Sequence, residues 1–168
     1  MNQLLFPSLL AAALALVATA AGAHIHLENS SAPAGASYKA TFKVGHGCEG
    51  SPTRQLSVDI PAGVRGAQPM PKPGWRLEVE RSGAEATRVT WTARTPEDAL
   101  PDAYYDEFVL VAKLPAQAGP LYWPVRQVCN EGRQDWTEVP QPGQPRPALK
   151  SPASKLDVVP ASGHQHTH

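Results

Sequence analysis

Six histidines stand in this chain of 168 residues, and they are unevenly placed. His24 and His26 lie in "AHIHLE", His46 in "VGHGCEG", and His164, His166 and His168 in the terminal "HQHTH". The long stretch from Gly47 to Gly163 holds none. Imidazole is the commonest side-chain metal ligand, so clustering at the ends points to metal chemistry. A histidine that begins a chain offers more than an internal one. Its α-amine and its Nδ1 both reach one ion and close a six-membered chelate ring. Both groups must lose a proton to coordinate, which ordinary α-amines and imidazoles do near neutral pH. Two nitrogens in one plane suit tetragonal Cu(II), which also heads the divalent affinity order.

Whether His24 comes first depends on the segment before it. Leu4 to Val17 is almost wholly apolar, and small residues follow up to Ala21-Gly22-Ala23. That is the pattern of a secretory signal peptide, although no Lys or Arg precedes the apolar run. Pro7 leaves the run short of a membrane span. Cleavage after Ala23 leaves His24 first; "ATA" at Ala18-Thr19-Ala20 satisfies the same small-residue rule and leaves Ala21 first. The expected division is a signal peptide over 1–23, one domain over 24–160 and a disordered, His-rich tail over 161–168.

The other candidates each carry an ordinary alternative. In a strand, His26 shares a face with His24; it is a third ligand or a solvated surface histidine. His46 sits in a Gly-bracketed turn beside Cys48, as a rigidly held ligand or merely a turn residue. The terminal "HQHTH" is a metal-collecting arm or a solubilising tail. Met70 offers a thioether for Cu(I) or simply packs. Asp106 and Glu107 in "YYDEF" do not read as an acid/base pair, but either offers an oxygen to a metal. No Ser-His-Asp arrangement and no H-E-x-x-H occurs, so the chain does not read as an enzyme. Fifteen basic residues balance fifteen acidic ones, and without a basic stripe a nucleic-acid or anionic-membrane role has no electrostatic support. Cys48 and Cys129 are the two cysteines. In an exported chain, with no C-x-x-C, a disulfide is favoured over a thiolate metal site.

Strands must position these groups. Eighteen prolines and thirteen glycines leave little room for long helices. Period-two runs recur instead: Tyr38, Ala40, Phe42 and Val44 in "SYKATFKV"; Leu56, Val58 and Ile60 in "QLSVDIP"; Trp75, Leu77 and Val79 in "WRLEVE"; Val89 and Trp91 in "RVTWTA". "DEFVLVAKL" is apolar on both faces, as a central strand is. "GPLYWPVRQVC" reads as another strand, with Pro124 marking an edge or a bulge. "TPEDALPDAYYD" holds a short helical turn at most, and "SKLDVVP" is a candidate last strand. Turn signals separate these runs, and the spacing predicts an all-β antiparallel sandwich. Trp75, Trp91 and Trp123 read as core; Trp136, after the Cys129 turn, reads as less buried.

Four stretches carry a resemblance to a known family: the run from "AHIHLENSSAPAGASYKATFKVGHGCEGSPT" to "DIPAGV", then "MPKPGW", "YYDEFVLVAKLP" and "YWPVRQVCNEGRQDWTEVP". Together, from Ala23 to about Pro160, they resemble the YcnI-like copper-binding family in its proteobacterial branch. The resemblance implies an immunoglobulin-like β-sandwich exported to the periplasm. It implies a mono-histidine brace for Cu(II), with His24 as the brace histidine after cleavage at Ala23 and Trp136 as the tryptophan near the metal. His26 falls where that family often has Thr. His46-Gly47-Cys48 falls where better-studied members carry a Glu, which leaves the remaining ligand to His46, His26 or a carboxylate such as Glu107. The implied role is a copper chaperone or buffer in acquisition, delivery or tolerance. Its expected partners are copper itself and either another periplasmic copper chaperone or a membrane copper transporter. One alternative is a histidine-brace copper oxygenase, which would want a second histidine and an aromatic polysaccharide-binding face; no polysaccharide substrate is expected. The other is a metal-free adhesion sandwich, against which the histidine distribution argues.

Overall fold

The computed structural model describes residues 24–143, 145 and 149–161. The leader and the three tail histidines lie outside the described residues. The strands are β1 (His26–Leu27), β2 (Ser31–Pro33), β3 (Ser37–Val44), β4 (Thr53–Asp59), β5 (Arg65–Pro69) and β6 (Trp75–Ser82). They continue with β7 (Glu85–Ala93), β8 (Asp106–Lys113), β9 (Gly119–Trp123), β10 (Val125–Cys129), β11 (Arg133–Trp136) and β12 (Ser154–Val159). Among the described residues a 3-10 turn at Pro96–Asp98 breaks the β pattern, with Pro at its start and Asp98 turned back onto the Thr95 backbone.

Three sheets result, in the orders β1-β3-β8-β5, β11-β10-β4-β7-β6 and β2-β12-β9. The first two form an immunoglobulin-like sandwich whose inner faces are the alternating apolar positions of the sequence. Phe42, Leu56, Val58, Val89, Trp91, Leu110 and Trp123 are all fully buried. Phe108 lies edge-on to both Trp75 and Trp91, at 5.0 and 5.6 Å between ring centroids, the arrangement that ring quadrupoles favour. β8 lies between β3 and β5, which accounts for its two apolar faces.

Two expectations need correction. Thr41, which alternation places on the outer face of β3, is buried. It lies opposite Val109 on β8, also buried, and the two β-branched side chains shield each other across interior strands. The run "GPLYWPVRQVC" is not one strand. Pro124 divides it into β9, which joins β12, and β10, which joins β4. Proline has no N–H for a ladder, so pairing stops there and the chain changes sheets. Its carbonyl still accepts a bond from Asp59 N at 3.0 Å.

The outer face of the five-stranded sheet is polar. Ser57 bonds Thr90 at 2.9 Å and Gln55 bonds Thr92 at 3.0 Å. Asp59 lies between Arg88 and Arg126, at 2.6 and 2.7 Å. Burial pushes the Asp59 carboxyl up, but the two guanidinium groups outweigh it and hold the carboxyl below its ordinary range. A depressed carboxyl contributes stability above its unfolded pKa and loses it as pH falls through the folded value. Both arginines are more than a third exposed, so solvent screens the pair, and Asp59→Asn is expected to cost about 1 kcal/mol. Denaturant melts at pH 7 and pH 3 check this: the difference between variant and parent should shrink at the lower pH.

Candidate metal centre

The site forms where one edge of each main sheet meets the other. β1 is an edge of the four-stranded sheet and β11 an edge of the five-stranded sheet. Alternation sets the side chains around β1. Ile25 and Leu27 are buried in the core, so His24 and His26 share the opposite face, as a strand requires. Their rings lie 5.8 Å apart, tilted 30°. The His24 ring also lies 5.0 Å from the Trp136 ring, tilted 42°.

Trp136 reaches that position through the register of its sheet. It stands opposite Val125, which stands opposite Val58, which stands opposite Val89. All three valines are fully buried, so this row points inward and Trp136 ends it at the sheet edge. It is only 5 % exposed, against the expectation of a less buried indole. Its Nε1 has no hydrogen-bond partner among the described residues, and neither has Oδ1 of its neighbour Asp135. A buried indole N–H usually finds a partner. This one lies in the residue that packs against His24.

β1 is held from several sides. Its ladder to β3 pairs His26 with Lys43 and Leu27 with Phe42, and Glu28 N donates to the Thr41 carbonyl at 3.0 Å. Ser154 Oγ donates to the Ile25 carbonyl at 2.6 Å.

His46 sits in the turn just after β3, three residues beyond Lys43, the partner of His26. Its Nδ1 lies 2.8 Å from the Gly47 carbonyl. A carbonyl only accepts, so Nδ1 donates in this contact and the ring orientation is fixed by it. The turn is pinned throughout. Gln127 Nε2 donates to the His46 carbonyl at 2.8 Å, and Gly47 N donates to Asp102 Oδ1 at 2.8 Å. A Cβ at Gly47 would lie 1.8 Å from the Ser51 carbonyl oxygen, so no side chain fits there. Cys48 is bonded to Cys129 with Cα atoms 5.9 Å apart, tying this turn to the end of β10.

Not every candidate converges. Met70 follows β5, at the edge of the sheet opposite to β1, and is about half exposed. Glu107 lies opposite Lys43, the residue on β3 that also faces His26, so it is two strands from β1. Its carboxylate accepts the Tyr105 hydroxyl at 2.5 Å, a bond that, with nearby carboxylates, pushes that phenol up to about 12. Among the described residues, no three His, Cys, Asp or Glu side chains gather into a metal-holding group. Three residues that shape the site escaped the sequence reading: Asp102, Gln127 and Ser154. Gln127 left a signal, as the one polar residue among the inward positions Val125, Gln127 and Cys129, all fully buried. Asp102, in a loop, left none.

Comparison with known proteins bears on fold and family. An uncharacterized protein from Nocardia farcinica, described as having an immunoglobulin-like fold, superposes with a TM-score of 0.69 at 27 % identity, over 80 % of this chain and 97 % of that one. The copper-binding protein CutI of Bacillus subtilis (strain 168) is 27 % identical over 118 residues. That match takes in 70 % of this chain and 56 % of CutI, so the chain spans little more than half the length of this relative. A family model described as a domain of unknown function matches residues 24–158. With most of its length inside that match, the chain belongs to the DUF1775 domain family.

Proposed function

We propose that the mature, exported protein begins at His24 and binds one Cu(II) ion through the α-amine and imidazole of that residue. The copper is cargo, held for delivery or buffering in the periplasm. The observation that carries this reading is the placement of His24: its ring packs against the buried Trp136 at the meeting edge of the two sheets. A chelate in which one residue supplies two nitrogens needs no cluster of three ligating side chains. The orphan Nε1 of Trp136 supplies a donor for an anion or water bound with the metal. His46, held in a pinned turn, is the candidate to complete the coordination, and His26, whose ring lies 5.8 Å from that of His24, is the alternative. Similarity to a copper-binding protein supports the choice of metal, and a family match that opens at residue 24 supports a mature start there. The same similarity favours a binding protein over a copper oxygenase.

Titration of the protein starting at His24 with Cu(II), against a competing chelator, tests the proposal. One tight equivalent per chain is the expected result; none overturns it. Reductant-driven oxygen consumption well above that of free copper would move the reading to the oxygenase. Trp136→Phe is expected to change affinity less than fivefold while shifting the visible absorption and potential of the bound copper, because the indole borders the metal without ligating it. Parallel titration and optical spectra of the two proteins check this, and an affinity loss like that of His24→Ala would make Trp136 a ligand.

A further inference from the structure

Ser154 occupies the first inward position of β12, in the row that continues with Leu156 and Val158. Its register partner is Trp123, and its surroundings are core. An apolar residue would be the ordinary choice there, since a buried hydroxyl costs stability unless it is bonded. Ser154 is bonded. Its hydroxyl donates to the Ile25 carbonyl at 2.6 Å, across 129 residues of chain. That carbonyl belongs to the residue directly after His24.

The location matters because β1 is short. Its ladder to β3 pairs only His26 and Leu27, and terminal segments fray unless tied down. Ile25 is tied at two points: its side chain is buried in the core, and its carbonyl is held by a side chain that is itself buried. Rotation about the Ile25 backbone would swing His24 off Trp136. With its side chain and its carbonyl both held, the remaining tetrahedral direction at the Ile25 Cα, along which the backbone leaves toward His24, is set as well.

We infer that Ser154 is a positioning residue for the metal centre: its hydroxyl clamps the Ile25 carbonyl and so aims the amine and imidazole of His24 at one point beside Trp136. The inference rests on the copper-binding reading proposed above. It does not depend on which further group completes the coordination. Preorganised donors bind more tightly because less ordering is left for the moment of binding, and loss of an outer partner to a metal ligand typically weakens a site ten- to a hundredfold.

The test compares Ser154→Ala, Ser154→Thr and Ser57→Ala in the protein beginning at His24. Ser57→Ala deletes a part-buried hydroxyl bond, to Thr90, on the polar face of the five-stranded sheet, away from β1. Two readouts are taken. The first is Cu(II) affinity against a competing chelator, with the electron paramagnetic resonance spectrum. The second uses copper-free protein: the nuclear Overhauser contacts between the His24 and Trp136 rings. Ser154→Ala is expected to weaken the tight equivalent by about tenfold or more, broaden its spectrum and diminish the ring contacts. Ser154→Thr is expected to restore all three, and Ser57→Ala to leave them unchanged. Equal affinity and intact ring contacts in Ser154→Ala overturn the inference. So does a Ser154→Thr protein as weak as Ser154→Ala, or a Ser57→Ala protein that loses as much. If the parent itself binds no copper tightly, the proposed function fails. The ring contacts in copper-free protein still decide whether Ser154 aims His24.

Discussion

One additional residue before His24 is expected to lower Cu(II) affinity by about a hundredfold or more, roughly 3 kcal/mol, and to leave the fold intact. The extension converts the His24 α-amine into an amide, so the six-membered amine–imidazole ring that His24 forms by itself is lost. His24→Ala removes the other half of the same chelate and should lose at least as much. Neither change disturbs the core, because the side chain buried at this end of the chain belongs to Ile25. The decisive measurement is a chelator-competition titration of three proteins: the one beginning at His24, the one with a preceding residue, and His24→Ala. Thermal melts of copper-free samples should coincide within a few degrees. Equal affinities of the first two would remove the amine from the site. Binding by the protein beginning at His24 should also weaken at acid pH, since protons compete for both nitrogens.

Breaking the Cys48–Cys129 bond is expected to have the largest effect on stability. The bond closes a loop with a sequence separation of 81, for which chain entropy alone assigns about 4 kcal/mol. For a domain of this size that corresponds to a melting point lower by about 10–20 °C. Paired Cys48→Ser and Cys129→Ser substitution avoids leaving a free thiol. A second effect should accompany the first. The bond anchors the turn that carries His46, and the buried Gln127 anchors the same turn from β10 through the His46 carbonyl. If His46 completes the copper site, affinity falls on losing the disulfide even at temperatures where the protein stays folded, and His46→Ala reproduces that loss without the fall in melting point. Unchanged affinity in both proteins would assign the remaining ligand elsewhere. A melting point unaltered by the paired substitution would contradict the stabilising role of the bond.

Much of this protein was legible from residue order, and the reason is local. Strand faces follow from a two-residue period, so Tyr38, Ala40, Phe42 and Val44, or Leu56 and Val58, declare their burial without any knowledge of partners. The common face of His24 and His26 follows from the same period, and the Cys48–Cys129 pairing follows from there being no other cysteine. What depends on partners was not legible. Nothing in "RQDW" alternates, and β11 exists because the chain turns back onto β10 after Cys129. The burial of Trp136 is a property of a row of valines contributed by three other strands, not of its own neighbours. Pro124 announced an interruption, but only the tertiary structure decided that the interruption is a change of sheet. Ser154 and Asp102 meet their backbone partners, Ile25 and Gly47, across 129 and 55 positions of sequence. A hydroxyl or carboxylate that bonds a distant carbonyl or amide leaves no periodic trace. Sequence therefore singled out the histidine proposed to chelate a metal, whereas packing between two sheet edges decided what surrounds it, because those contacts join segments that no local pattern connects.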